Sequence, residues 1–564
     1  MNRWSRRLAG MATAAALTAG LTAGTPGGAA ADSGTLRDYL VFYAPGAQAR
    51  AVDAVRAGGG TPLSTETKLG YVVARGPENG FAETLAADAA VAGISSDRRI
   101  GYATAAQAAP AALAAVPRTT VTRTAAARTG TSDIRALTVE GEEPLAGRQW
   151  DMKMIGATAT GSHTTAPGSR KVLVGVIDTG IDGKHPDIAP NFNRELSRNF
   201  VTDRPKDSRG RELDGPCEFK SCKDPVDWDD DGHGTHVAST IASPINGLGV
   251  AGVAPGVSLV NLRAGQDAGL FFLKPSLDAL TYAADHGIDV VNMSYYVDPW
   301  LFNCTANPRD SKAEQLEQRG VIVGMQRALD YARKHGVTLI SAIGNDSIDL
   351  GKPKVDITSP DYPLDSQRVR RIDNSCLSVP SESKGVISVS ALGPSGRKAA
   401  YSDYGIEQTD LSAPGGDPED GDGAEITRAV LAAAPEHMLR AKGLINADGE
   451  PQSASVVRDC QAGTCAYYQY LAGTSMAAPH AAGVAAILIS RFGKRSKDGV
   501  TMPPADVERL LYATATRKPC PAPRAYVYRS TEGKSVHVCE GSKSRNGFYG
   551  RGVVNAAKAA TTPR

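Results

Sequence analysis

Three short segments of this 564-residue chain carry side chains that could do covalent chemistry together. In 174–188 (VGVIDTGIDGKHPDI), Asp178 stands where an apolar stretch meets Thr179 and Gly180. A carboxylate at the end of a buried strand is well placed to hold a histidine, although an Asp at such a point is commonly a turn or cap residue. In 231–240 (DGHGTHVAST), His233 lies behind Gly232 and just ahead of a helix of small residues, with His236 one turn inside it. That spacing also suits a metal pair, but a third ligand and the Glu of H-E-x-x-H are missing. His236 therefore reads as structural. In 471–483 (LAGTSMAAPHAAG), Ser475 follows Gly473 and Thr474 and opens another helix. A helix N-terminus offers free N–H groups and partial positive charge to a developing oxyanion. The adjacent glycine lets a substrate backbone come close. Each residue alone has an ordinary structural role. The three together supply what a serine nucleophile needs: a base to take its proton and an acid to orient the base.

Such groups work only if the fold gathers them. Nearly continuous apolar runs at 171–177 (KVLVGVI), 258–262, 289–293 (DVVNM), 336–342 (GVTLISA) and 385–391 (GVISVSA) read as buried strands. Helical patterns lie between them at 236–241, 275–285 and 323–335. Apolar strands alternating with helices predict an α/β fold, a parallel sheet with helices on both faces. Functional groups in such folds gather at the C-terminal ends of strands. Two polar, cysteine-bearing stretches, 346–384 and 415–470, interrupt the alternation and read as surface insertions. Ahead of this unit, strands at 39–43 (YLVFY) and 70–74 (GYVVA), helices at 47–57 and 81–92, and a last strand within 91–102 predict a small α+β module. A stretch rich in Ala, Thr, Pro and Arg follows, and reads as an exposed linker.

Residues 1–31 combine Arg3, Arg6 and Arg7, a short apolar stretch and a closing run of alanines before Asp32, the three parts of a secretory signal peptide. The stretch is too short and too rich in Gly and Thr for a membrane span. The chain is expected to be secreted and extracellular, without a membrane anchor. A formal net charge of +2 and the absence of a long basic run argue against nucleic acid as a partner. Eight cysteines, an even number, fit disulfides in an oxidising compartment. Sequence leaves the connectivity open, and neighbour pairing (217–222, 304–376, 460–465, 520–539) is the simplest arrangement. Zinc-type spacings are absent.

The segments DTGIDGKHPDI, HGTHVAST and GTSMAAPH resemble, in that order, the three catalytic signatures of the subtilisin-like serine peptidases. The likeness spans about residues 145–558 and closes on NGFYGRGVVNAAKA. The resemblance implies peptide-bond hydrolysis through an acyl-enzyme, with Asp178 orienting His233, His233 as general base and Ser475 as nucleophile. In SAIGN (341–345), Asn345 matches the family's oxyanion donor. In VNMSYY (291–296), Ser294, Tyr295 and Tyr296 match the strand that pairs with substrate; the family usually has small residues after the serine, so the tyrosines are expected to reshape the pocket. No cofactor is implied for catalysis. Asp187 and Asn246, the latter in PINGLGV (244–250), match a loop that binds structural calcium in many relatives. Asp229, Asp230 and Asp231 read either as a second ion site or as a solvated acidic turn. The expected organisation is a signal peptide at 1–31, an inhibitor-type propeptide at 35–105, a linker with the processing site at 106–144, and a peptidase domain at 145–564. Such a precursor would process itself, be inhibited by its own propeptide, act on proteins or peptides, and work as a monomer. The alternatives are a protease dedicated to one partner protein, or a catalytically silent surface-binding relative.

Overall fold

The computed structural model describes residues 35–96, 142–207, 209–496, 499–530 and 533–563. The expected signal peptide, and nearly all of the linker, lie outside them.

The first module has the order β1 (Leu36–Tyr43), α1 (Gln48–Ala57), β2 (Thr61–Glu66), β3 (Tyr71–Pro77), α2 (Phe81–Ala86) and β4 (Val91–Ser96). Its antiparallel sheet runs β2-β3-β1-β4. Strand β2 was not anticipated: TPLSTE is mostly exposed and has no apolar alternation. Short helices α3 (Trp150–Ile155) and α4 (Ser162–Thr165) lead into the second unit.

That unit is built on a seven-stranded sheet, all of whose pairs are parallel. Its strands are β5 (Leu173–Ile177), β6 (Arg198–Asn199), β7 (Ser258–Arg263), β8 (Val290–Met293), β9 (Thr338–Ala342), β12 (Val386–Leu392) and β13 (Leu411–Pro414), in the spatial order β13-β12-β9-β8-β5-β7-β6. Alternate residues of one strand enter different cores. Val290 and Ile340 face the core shared with α5 (His233–Ala242) and α9 (Thr474–Phe492). Val291 and Leu339 face the core shared with α6 (Leu273–Asp285) and α7 (Lys312–Lys334). Burial on both faces explains the unbroken apolar runs. Helix α7 starts well before the apolar pattern suggested, because Ser311 and Glu314 form a reciprocal capping box.

The insertions carry local structure of their own. The first holds the ribbon β10 (Val355–Asp356) and β11 (Arg370–Arg371). Buried Arg370 pairs with Asp310 at 2.7 Å and Asp356 at 2.8 Å, anchoring the ribbon under α7. The second forms a sheet of β14 (Val430–Ala433), β15 (Val456–Gln461) and β16 (Thr464–Leu471), with α8 (Glu436–Ala441) beside it. The four disulfides join the cysteines in neighbour order, 217–222, 304–376, 460–465 and 520–539, and none is free.

The N-terminal module lies against α6 and α7. Arg327 donates to the carbonyls of Tyr43 (2.8 Å), Leu69 (3.1 Å) and Gly70 (2.8 Å). Lys68 pairs with Asp285 at 2.6 Å, and the Ser96 hydroxyl donates to Glu317 at 2.6 Å. Among the described residues, no helix is long and apolar enough to cross a membrane.

Candidate active site

Three adjacent parallel strands, β5, β8 and β9, end at one edge of the sheet. They deliver Asp178, Ser294 and the turn Ile343–Gly344–Asn345 to that edge. Asp178 is fully buried, and its Oδ1 accepts from His233 Nδ1 at 2.7 Å and from the Thr179 N–H at 2.8 Å. With Nδ1–H committed to Asp178, the other ring nitrogen of His233 is left as the acceptor. The His233 side chain is about a quarter exposed, so part of the ring reaches solvent. Burial alone would lower its pKa, but the nearby Asp178, with Asp231 and Asp229 behind it, lifts it to about 9.

The position of His233 is fixed by a residue that was read only as part of an acidic run. Asp229 is fully buried. Its Oδ1 accepts from Thr179 Oγ1 (3.0 Å) and the Gly232 N–H (2.9 Å), and its Oδ2 from the Thr235 N–H (2.9 Å) and Thr235 Oγ1 (2.6 Å). It ties the end of β5 to the first turn of α5, where His233 sits. Asp230 accepts from Trp228 Nε1 at 2.7 Å, and Asp231 from the His233 N–H at 3.1 Å. Asp229 and Asp231 are thus tied to the backbone around His233, whereas Asp230 also converges with Glu218 and Asp267. His236 is buried and its Nε2 lies 3.1 Å from the Val430 carbonyl and 3.0 Å from that of Gln469, a structural tie to β14 and β16.

Ser475 sits in the first turn of α9, after Gly473. Its hydroxyl donates to the Ser294 carbonyl at 3.2 Å, while Ser294 Oγ donates back to the Ser475 carbonyl at 3.0 Å. No hydrogen bond joins Ser475 to His233 in this conformation. Asn345 Oδ1 accepts from the Thr474 N–H (2.8 Å) and Thr474 Oγ1 (2.9 Å). Fixing the carbonyl end of the amide leaves its NH2 end outside that contact. Thr474 was not singled out from sequence, yet it orients Asn345. The signal was there, since Thr474 lies between Gly473 and Ser475.

The two tyrosines part company. Tyr295 is turned into the core under α6 and stacks on Phe271 with ring centroids 4.3 Å apart. Its side chain therefore cannot narrow the cleft, contrary to the expectation. Tyr296 points the other way and donates to Asp361 Oδ2 at 2.5 Å, beside Ile343 and Leu350. Any reshaping by a tyrosine comes from Tyr296, held by the first insertion.

A match to the subtilase family spans residues 169–547, more than half the chain, and takes in Asp178, His233, Asn345 and Ser475. The chain belongs to the subtilase family, a family of serine peptidases. It is 28% identical to fervidolysin of Fervidobacterium pennivorans over 392 residues, 66% of this chain and 41% of that protein. It is 27% identical to the nisin leader peptide-processing serine protease of Lactococcus lactis subsp. lactis over 346 residues, 61% of this chain and 44% of that protein. The aligned region thus spans less than half the length of these two relatives. The solved structure of the epidermin leader peptide processing serine protease from Staphylococcus aureus superposes with a TM-score of 0.57 at 20% identity, covering 93% of this chain and 98% of that one. The fervidolysin structure superposes with a TM-score of 0.54 at 22% identity, covering 94% and 62%. These likenesses show the fold.

In this subtilase the expected calcium loop packs on two buried carboxyl groups. Asp187 Oδ1 accepts from Asn246 Nδ2 at 3.2 Å, and its Oδ2 from the Val250 N–H at 3.1 Å. Glu143, which was not anticipated, accepts from the Gly247 N–H at 3.2 Å through Oε1, and its buried Oε2 has no partner. Burial pushes the Asp187 carboxyl up to about 8, with Glu143 adding to the rise. An orphaned carboxylate oxygen beside a second carboxylate fits a divalent cation. Elsewhere, Asp203, Asp224 and Asp267 converge, but the buried guanidinium of Arg263 already serves them.

Proposed function

We propose that this subtilase is a serine endopeptidase, with Asp178, His233 and Ser475 as its triad, made as a self-processed precursor. The observation that carries the reading is the 2.7 Å Asp178–His233 pair at the same sheet edge as Ser475, with Asn345 fixed by Thr474 alongside. In the reaction the Ser475 hydroxyl turns from the Ser294 carbonyl to His233. Its oxygen bonds to the scissile carbonyl carbon as its proton passes to the imidazole. The Asn345 amide and the Ser475 N–H stabilise the oxyanion. The C–N bond then breaks, the imidazolium protonates the leaving amine, and an acyl-enzyme remains. Water, deprotonated by His233, releases the acid and restores Ser475. Ser294, with the backbone of Tyr295 and the side chain of Tyr296, lines the substrate wall.

The module at 35–96 is the inhibitor-type propeptide in this reading, and its seat on α6 and α7 supports it. Export through residues 1–31 and processing within 106–144 complete the scheme. Glu143, Asp187 and Asn246 would hold a structural calcium ion, once the Asn246 amide turned its oxygen inward. Reversible loss of thermal stability on chelation checks this. A narrower reading, a protease that processes one partner such as a leader peptide, is favoured by what two relatives are named for and by the insertion-held Tyr296. Purified precursor should shorten on its own, and Ser475→Ala should not. Equal shortening of both would require a separate protease. A cleavage profile on a peptide library then separates broad from dedicated specificity: one dominant site supports the narrower reading.

A further inference from the structure

The turn that carries Asn345 is gripped by a residue from a distant part of the chain. Asp403 lies between β12 and β13 and is buried. Its backbone N–H donates to the Gly344 carbonyl at 3.0 Å, on the near side of Asn345. Its carboxylate Oδ1 accepts from the N–H of Asp346 at 3.1 Å and from that of Ile348 at 2.7 Å, on the far side. Asn345 is thus bracketed by one residue. The Asp403 carboxylate packs so closely on Gly344 (φ 126°) that a Cβ there would collide with Oδ2. Flanking backbone bonds, Ser347 N–H to Tyr401 O at 2.8 Å and Tyr404 N–H to Ile348 O at 3.0 Å, lay the two segments together but do not reach Asn345.

We infer that Asp403 is a positioning residue for the oxyanion donor: its carboxylate sets the turn that aims the Asn345 amide. This rests on the assignment of Asn345 to the oxyanion. Thr474 fixes one end of the amide and Asp403 fixes the backbone from which the side chain springs. An oxyanion donor contributes only when it lies within hydrogen-bonding distance of where the charge develops, so a shift of the turn is felt in turnover more than in ground-state binding.

The test is a double-mutant cycle on the processed enzyme, with active sites counted by a serine-directed phosphonate and turnover measured on the best library peptide. Asp403→Ala should lower kcat about 10- to 100-fold with KM within about threefold, less than the full effect of removing a donor. Asp403→Asn keeps an acceptor oxygen and should recover to within about fivefold of wild type. In an Asn345→Ala background, Asp403→Ala should add less than about threefold. Full additivity in that background, or unchanged kcat in Asp403→Ala, overturns the inference. Should Asp403→Ala fail to fold, the cycle with Asp403→Ser decides by the same criterion. If wild-type turnover proves independent of Ser475, the broader reading fails first. If it depends on Ser475 and the cycle is additive, only the role of Asp403 falls.

Discussion

His233 must be neutral to take a proton, yet Asp178, Asp231 and Asp229 together hold its pKa at about 9 despite burial. The sign follows directly. Below that value the imidazolium is the populated form and the base is lost, so kcat/KM should rise with pH through neutrality into the alkaline range. Asp231 is the one of the three carboxylates that touches neither the ring nor Thr179, and its bond from the His233 N–H is one that an Asn oxygen also accepts. Asp231→Asn should therefore move the rising limb to lower pH with little change at the plateau. A pH profile of kcat/KM for the two proteins checks this, and an unmoved limb contradicts the electrostatic account. The raised pKa also suits the transition state, where the imidazolium has to persist beside the oxyanion.

At the scale of elements, one guanidinium supplies three of the hydrogen bonds that seat the N-terminal module, beside the apolar contacts of Leu40, Phe42, Leu69 and Tyr71. Arg327, in the middle of α7, meets three carbonyls of the module with its fork of donors. Charged hydrogen bonds of this kind contribute on the order of 1.5–3 kcal/mol each. With water replacing most of the lost partners, Arg327→Ala should cost about the equivalent of one such bond and make the module leave freshly processed enzyme about 10- to 100-fold faster, measured by size exclusion after processing. Sequence reveals most of these elements but few of their joints. The five central parallel strands were legible because they are buried on both faces and so read as unbroken apolar runs, whereas the short β6 and β13 were not. The start of α7 was readable in Ser311 and Glu314, whereas β2 was not, since its residues are exposed on an edge. Asp178, His233 and Ser475 stood out only as a set, and Asn345 only through the family resemblance. Asp229, Asp403 and Glu143 did not, because their meaning lies in partners from other segments. Tyr295 misled for a related reason: past the end of β8 the two tyrosines part, Tyr295 into the core with Phe271 and Tyr296 toward Asp361 in the first insertion.

For the molecule as a whole, the disulfides differ in what they constrain. Cys304–Cys376 closes a loop with a sequence separation of 72, whereas Cys217–Cys222 and Cys460–Cys465 each close one of 5. The loop-entropy relation gives about 4 kcal/mol for the first and about 2 kcal/mol for each short one. Thermal unfolding of the paired Cys→Ala variants should rank in that order, with loss of 304–376 the most damaging. Equal effects would mean that the first insertion is held by Arg370 and its carboxylates rather than by the bridge. The remaining claim spans every scale, because the sheet, α5 and α9 matter to function only if they make Ser475 a nucleophile. Its most direct measurement is mass-spectrometric mapping of a serine-directed phosphonate on processed protein. The account predicts a single adduct on Ser475, lost in Ser475→Ala and strongly reduced in His233→Ala. No adduct on folded wild-type protein, or one on another serine, would contradict it.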